Sequence, residues 1–357
     1  MSWEKLKLGE VCILNYGKNL PASKRQDGSV PVYSSAGQID FHSLPHVDSE
    51  GIIIGRKGSV GKIYFSDVPF FPIDTSYYII PDEKYNLKFL YYNIQTLGLE
   101  DLNSDAAVPG LNRNNAYSQL VNIPPLQTQE RIADILSSYD DLIENNLKRI
   151  KLLEQAAQNI YKEWFVNLRF PGHEKTTVNE ETGLPEGWTN SKYKNHFDLI
   201  TGKKDANHST SDGAYPFFTC GKEIIKSPDF SFDCNAVLLA GNGDFNVKYY
   251  RGKFQAYQRT YVLSPYNDKE LFLLFIHLSL NLKHLTHGSK GSVIKYLTKG
   301  MIEDFTLILP SKTILENFNN LCENIFLQIE TLENQNRKLK AARGILLPRL
   351  MNRTIEV

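Results

Sequence analysis

A repetition constrains this chain more than any other feature. Trp3 and Trp188, Gly17 and Gly202, Pro31 and Pro216, Val108 and Val293, Pro125 and Pro310, Thr128 and Thr313, and Ala156 and Ala341 all stand 185 residues apart. Between these anchors the segments are alike with one-residue slips. Pro31-Val-Tyr-Ser-Ser-Ala-Gly37 faces Pro216-Phe-Phe-Thr-Cys-Gly221, and Gly55-Arg-Lys-Gly-Ser-Val-Gly-Lys-Ile-Tyr64 faces Gly241-Asn-Gly-Asp-Phe-Asn-Val-Lys-Tyr-Tyr250. Two copies of a unit this long are not a solenoid, because each is large enough to fold around its own core. The 357 residues therefore read as one unit written twice.

Each copy has the same internal order. Short apolar runs such as Gly51-Ile-Ile-Ile-Gly55 and Ala236-Val-Leu-Leu-Ala240, bounded by Gly, Pro, Asn and Asp, predict strands and turns. A short helix is expected at Leu87–Leu97 and again at Lys269–Leu280. Pro124-Pro125 or Pro310 then punctuates the chain before a long helix. The first long helix carries Ile132, Leu136, Tyr139, Ile143, Ile150, Leu153, Ala157, Ile160 and Trp164, with Asn146 the one polar member of the series. The second carries Ile314, Phe318, Leu321, Ile325, Leu332, Leu339, Ala342 and Leu346, with Gln328 and Gln335 as polar members.

Steps of four and three are the coiled-coil period, and neither stripe can be satisfied alone in water. The two helices are expected to pack on each other, antiparallel through a pseudo-two-fold axis, with the polar members fixing register. The alternative, two helices buried separately in two cores, meets an objection of length. Thr128 to Phe165 is 38 residues, about 57 Å of helix, longer than a typical domain core is wide. The expected fold class is α+β, with two similar mixed α/β domains separated by two long antiparallel helices. The segments are 1–125, the first domain; 126–170, the first helix; 171–187, a linker; 188–310, the second domain; 311–350, the second helix; and 351–357, a tail.

Several chemistries are missing from the sequence. No run reaches 18 apolar residues and MSWEKLKLGE lacks the apolar core of a signal peptide, so a cytoplasmic protein without a membrane segment is expected. Cys12, Cys220, Cys234 and Cys322 are scattered, without metal-ligand spacing, and read as reduced small hydrophobes. Gly55-Arg-Lys-Gly-Ser-Val-Gly61 looks like a phosphate loop, but Gly61-Lys62 is followed by Ile63 where Ser or Thr is needed, and the flanks read as strands. No HExxH, GxSxG, Asn-Pro-Pro-Tyr or glycine-rich cofactor motif occurs, and the eight histidines are dispersed. The chain reads as non-catalytic and free of a metal site.

Net charge is zero, with 40 basic and 40 acidic residues, which excludes a globally basic nucleic-acid coat. By segment, residues 1–125 carry net −2, 126–187 net −4, 188–310 net +4 and 311–357 net +2. Local clusters matter more than totals, since a phosphate contact needs a few placed donors. The first repeat offers Lys24, Arg25 and Gln26; Arg56, Lys57, Ser59 and Lys62; and Asn112, Arg113 and Asn114. The second offers Lys203 and Lys204; Asn242, Asn246 and Lys248; Gln258, Arg259 and Thr260; and Ser289, Lys290 and Lys295. Arg can bridge guanine O6 and N7, and Asn or Gln can bridge adenine N6 and N7, so these mixtures suit base reading as well as phosphate anchoring.

Four segments then carry a family resemblance: Pro124-Pro125-Leu126-Gln-Thr-Gln-Glu-Arg-Ile132, Ile160-Tyr-Lys-Glu-Trp-Phe-Val-Asn-Leu-Arg-Phe-Pro-Gly-His-Glu174, Gly183-Leu-Pro-Glu-Gly-Trp188 and Leu346-Leu-Pro-Arg-Leu350. Over essentially its whole length the chain resembles the specificity (S) subunit of type I restriction-modification systems. The resemblance implies two target recognition domains, each reading half of a bipartite site in double-stranded DNA, with the helices as spacer. It implies that the helices dock two modification (M) subunits, which bind S-adenosylmethionine and methylate adenine. Restriction (R) subunits, which use ATP and magnesium, would join that core, and this chain itself would bind no cofactor. The recognition domains vary within the family, so no base-contacting residue carries over. Because the first repeat is net negative, its binding face must be segregated from an acidic one, or the M subunits must supply phosphate contacts. A reading of another class is a duplicated scaffold that bridges proteins through its helices without binding DNA.

Overall fold

The computed structural model describes residues 3–102, 110–287 and 295–357; Val108, Ser289, Lys290 and Val293 lie outside the described residues. Two units result, one made of residues 1–146 with 333–357 and the other of 147–332. In the first, chain order is β1 (Glu4–Lys7), α1 (Leu8–Val11), β2 (Asn15–Tyr16), β3 (Val30–Ser34), β4 (Gly37–His42), β5 (Gly51–Gly55), β6 (Ile63–Ser66), β7 (Phe71–Pro72), β8 (Ser76–Ile79), α2 (Leu87–Ile94), α3 (Arg113–Tyr117) and β9 (Leu120–Ile123). The long helix α4 (Leu126–Tyr161) follows. The second unit has β10 (Thr189–Lys192), β11 (Phe197–Thr201), β12 (Tyr215–Phe218), β13 (Ile225–Ser227), β14 (Phe232–Ala240), β15 (Val247–Ala256), β16 (Thr260–Pro265), α5 (Leu271–His287), α6 (Lys299–Glu303) and β17 (Thr306–Leu309), and α7 (Lys312–Met351) begins there.

The repeat reappears in the strand order. One sheet runs β2-β8-β5-β6 in the first unit, and its counterpart runs β11-β16-β14-β15 in the second. In the second unit the sheet continues through β12, parallel to β15, to β13 at the edge. In the first, β3 instead pairs in parallel with the separate short strand β7, and β4 is the edge. Pro69 lies between β6 and β7 and has no N–H for a ladder, whereas the unbroken β15 contains no proline. A two-stranded ribbon closes each copy, β1 with β9 and β10 with β17, and leads into a long helix.

The central strands are buried on both faces and sort their side chains by the two-residue period of a strand. Ile52 and Ile54 of β5 join the core beneath α2, with Leu8, Leu14, Phe89 and Leu90, while Ile53 faces Tyr33, Val47 and Phe70. In β14, Val237 and Leu239 pack with α5, and Ala236 and Leu238 pack with Phe218 and Phe254. Each such Ile, Val or Leu contributes about 1.5–3 kcal/mol by leaving water. The expected helix at Leu87–Leu97 ends at Ile94, and the one expected at Lys269–Leu280 is a single 3-10 turn, Asp268–Glu270, followed by Leu271–His287.

Both long helices contribute to both units. In the first, Ile132, Ala133 and Leu136 of α4 share a core with Leu346, Leu347, Leu350 and Met351 of α7. Asp140 pairs with Arg343, and Asn146 Nδ2 donates to Asn336 Oδ1 at 2.9 Å, so the helices run antiparallel there. In the second, Ile150, Leu153, Ala157, Ile160, Tyr161, Trp164 and Phe165 meet Ile314, Leu315, Phe318, Cys322, Ile325, Ile329 and Leu332. Phe165 and Phe318 stand edge to face at 4.8 Å. Tyr139, Leu339 and Leu346 are half-buried, and Ile143 is buried. Gln129 fixes the start of α4: its Nε2 donates to the Pro124 carbonyl at 2.8 Å and its Oε1 accepts from the Asn86 N–H at 2.9 Å. After Tyr161 the helix widens to π geometry over Lys162–Val166 and stops at Leu168, which has a left-handed φ of 56°.

The seam of α7 corrects the sequence expectation. Leu321 is 39% exposed, and Gln328, Gln335 and Ala342 are exposed as well. The buried row lies one residue later, through Leu315, Cys322, Ile329 and Asn336. Counting in sevens from Ile314 selected the wrong row because Cys322 and Asn336 are weak apolar signals. The polar partner of Asn146 is therefore Asn336.

Asn146→Leu strands the buried Asn336 amide and should cost about 1–3 kcal/mol, whereas Asn146→Leu with Asn336→Leu should recover most of it, measured as urea midpoints. Burial lowers His277, which is hydrogen-bonded to Tyr193, from 6.5 to about 4. The unfolded chain binds that proton near 6.5 and the fold refuses it until about 4, so stability is full above the upper value and falls as pH drops through the window, by of the order of 3 kcal/mol. A His277→Gln variant should start less stable and show a flatter profile between those pH values.

Candidate nucleic-acid interface

The same pair of hydrogen bonds fixes the turn after β5 and the turn after β14 to a remote loop. In the first unit the Leu111 N–H donates to the Arg56 carbonyl at 2.8 Å, and the Tyr77 hydroxyl donates to the Leu111 carbonyl at 3.1 Å. In the second the Leu297 N–H donates to the Gly241 carbonyl at 2.9 Å, and the Tyr261 hydroxyl donates to the Leu297 carbonyl at 2.9 Å. Isolated antiparallel bridges, Lys57 with Gly110 and Asn242 with Tyr296, complete the match. Burial, and then the neighbouring Tyr16, push the Tyr77 phenol up to about 12, so it stays a neutral donor.

What fills this frame differs. In the first unit the Arg56 guanidinium lies 5.2 Å from the Tyr16 ring centroid and 5.9 Å from that of Tyr77. Arg113 lies 5.2 Å from Tyr16 and 5.8 Å from Tyr117. Arg56 Nη2 donates to the Asp74 carbonyl at 2.8 Å, and its Nε is buried without a hydrogen-bond partner among the described residues. Lys57 and Asn114 are exposed beside this cluster, and Ser59 is half-buried. Asn112 caps α3, accepting from the Asn114 N–H at 2.8 Å.

In the second unit the strand register puts Gly241 at the place of Arg56, one residue on from the Gly55 that it faces in the repeated sequence, and Thr201 at that of Tyr16. A cavity of about 330 Å³ opens there, lined by Thr201, Gly241, Asn242, Gln258, Arg259, Tyr261, Tyr296 and Leu297. Asn242 Oδ1 accepts from the Cys220 thiol at 3.0 Å, Gln258 Nε2 reaches Asp205 at 3.2 Å, and Arg259 is exposed. Three of the residues expected from sequence thus line one cavity.

Other candidates have structural partners. Arg25 pairs with Asp40 at 2.9 Å, Lys62 with Glu100 at 2.9 Å and Lys204 with Asp229 at 3.2 Å. Asp229 also accepts from His208 and Gln255, and these donors hold its carboxyl below the usual carboxylate range. Gln26 accepts from the Ser43 hydroxyl at 3.0 Å, and Lys203 lies 5.6 Å from the Phe232 ring centroid. Lys24 and Lys295 are exposed.

Three expectations are corrected. Thr260 is 2% exposed and its hydroxyl donates to the Phe218 carbonyl, because a β16 residue paired with Ala240 points inward. Lys248 is half-buried; desolvation lowers its pKa, and its ammonium donates to the Gly221 carbonyl at 2.6 Å. Asn246 donates to the Cys220 carbonyl at 2.8 Å, so it and Lys248 hold a turn. The aromatic half of the site, Tyr16, Tyr77, Tyr261 and Tyr296, escaped a reading built on polar clusters. Tyr77 and Tyr261 stand 184 residues apart, so the repeat itself carried the signal.

Among the described residues, no group of three or more His, Cys, Asp and Glu side chains could hold a metal ion, and no helix is long and apolar enough to cross a membrane. Burial raises the thiols of Cys12 and Cys322 to about 12.

Two similar mixed α/β units, each completed by segments of the same two long helices, define an internally duplicated protein. The chain belongs to the type I restriction modification DNA specificity domain family, which matches residues 1–155 and 185–340. It is 40% identical over 173 residues to the type I restriction enzyme EcoDI specificity subunit of Escherichia coli, a stretch covering 47% of this chain and 39% of that one. It is 25% identical over 331 residues to the MjaIX specificity subunit of Methanocaldococcus jannaschii, covering 84% of this chain and 76% of the relative. The fold is similar to the crystal structure of the type I restriction-modification system S subunit from M. genitalium, with TM-score 0.64, 15% identity, and 98% and 96% of the two chains covered.

The cavity depends on Gly241. An added Cβ there would meet the Arg259 carbonyl oxygen at 2.6 Å and the Tyr261 ring at 2.9 Å. Gly241→Ala should therefore destabilise the second unit by about 1–3 kcal/mol and raise amide exchange at Leu297, measured by hydrogen–deuterium exchange.

Proposed function

We propose that this chain is the DNA-reading subunit of a type I restriction-modification complex. Each unit reads one half of a bipartite duplex site, and the paired helices set the gap as a coiled-coil spacer related by a pseudo-two-fold axis. The observation that carries the reading is the recurrence of one hydrogen-bonded frame in both units, presenting Arg56, Lys57 and Arg113 in the first and Asn242, Gln258 and Arg259 in the second. These are donor types suited to phosphates and base edges. Family membership supplies the context.

The helices also leave apolar side chains in solvent in each unit. Leu142 and Ile345 are exposed in the first, and Leu147, Leu152 and Leu327 in the second. Exposed apolar side chains in each unit suit the docking of two modification subunits, which would bind S-adenosylmethionine and methylate adenine. Restriction subunits using ATP and magnesium would join the same core, so this chain carries specificity and no catalysis, in the cytoplasm.

The test is an exchange of residues 1–125 for the matching segment of another specificity subunit, with the methylated motif read by methylation-sensitive sequencing of the host genome. One half-site should change and the other stay. A motif altered in both halves, or a complex with no preference among duplexes, would sink the reading and leave a protein-bridging scaffold.

A further inference from the structure

Arg56 and Arg113 face the same exposed tyrosine. Each guanidinium carbon is 5.2 Å from the Tyr16 ring centroid, so the two charges are no farther apart than twice that distance. Among the described residues neither arginine has a carboxylate partner: Arg56 is held by a backbone carbonyl of Asp74, and Arg113 by ring faces. Two like charges that share one ring, within a segment that is net negative overall, repel less when an anion sits beside both. At the matching place of the second unit Gly241 and Thr201 leave a cavity, so the cationic stack belongs to the first unit's own fill of the frame.

The geometry favours a phosphate over a base edge. Two-pronged reading of guanine needs a free pair of parallel N–H groups. Arg56 has Nη2 engaged with Asp74, and its Nε is shut away from solvent. A phosphate oxygen accepts single N–H groups from separate side chains, and stacking on Tyr16 holds both guanidinium groups in place before DNA arrives.

We propose that Arg56, Tyr16 and Arg113 form a phosphate anchor that grips one backbone phosphate of duplex DNA and sets the register of the first unit without selecting a base. The assignment rests on the DNA-reading function above. The experiment titrates salt in duplex-binding assays of the full chain assembled with its methyltransferase partners. Arg56→Gln with Arg113→Gln should make log affinity against log salt shallower by about 0.9, one phosphate's worth, while the methylated motif is unchanged. Arg113→Gln alone, which leaves Arg56 and the core in place, should move the slope in the same direction, and Arg113→Lys should retain the parent slope.

An unmoved slope overturns the anchor, as does a motif relaxed at one base pair, which would make these residues base readers. A parent complex that fails to bind DNA overturns the underlying function, an outcome distinct from parent binding with an unmoved slope.

Discussion

Burial of the stripe shared by α4 and α7 is the interaction on which both units depend. Each β region packs on the helix pair. In the first unit Ile132 and Leu136 meet the same core as Ile52, Ile54 and Met351. In the second, Phe326 of α7 stacks on Phe272 at 4.7 Å, and Arg251 of β15 pairs with Glu323. A shift of one residue along the seam would expose Leu332 and Cys322 and separate Asn146 from Asn336. The register of two helices thus fixes where each sheet stands on them.

The duplicated frame separates what is common to the two units from what is particular. Backbone groups of Leu111 and Leu297, with the hydroxyls of Tyr77 and Tyr261, make the common part. Backbone bonds tolerate side-chain change, so the positions they fix are free to diverge. Arg56 against Gly241 and Tyr16 against Thr201 show how far: a filled cationic stack in one unit, an open cavity in the other. On the DNA-reading function proposed above, two surfaces built this way would favour different half-sites on a single scaffold.

Much of this architecture was legible in the chain. The repeat, the paired helices and the strand character of Gly51–Gly55 and Ala236–Ala240 follow from spacing and apolar runs, because period and punctuation are local properties. The row of α7 buried in the seam was not, since Leu321 is a stronger apolar signal than Cys322 and only the partner helix decides between them. Site residues were legible by type and misjudged by availability. Lys62, Arg25 and Lys204 read as free donors until Glu100, Asp40 and Asp229 are brought beside them, at sequence separations that no motif spans. Tyr16 became part of the site only once Arg56 and Arg113 converged on it.

The first unit is discontinuous, formed from residues 1–146 and 333–357, whereas the second is a single run, 147–332. On the ribosome every residue of the second emerges before Leu350 and Met351, which complete the core of the first beside Ile132 and Leu136. The half of the protein made first is thus finished last. During synthesis its apolar core stays open to solvent until the last turns of α7 leave the exit tunnel, the interval in which a multi-unit chain is most exposed to misassembly.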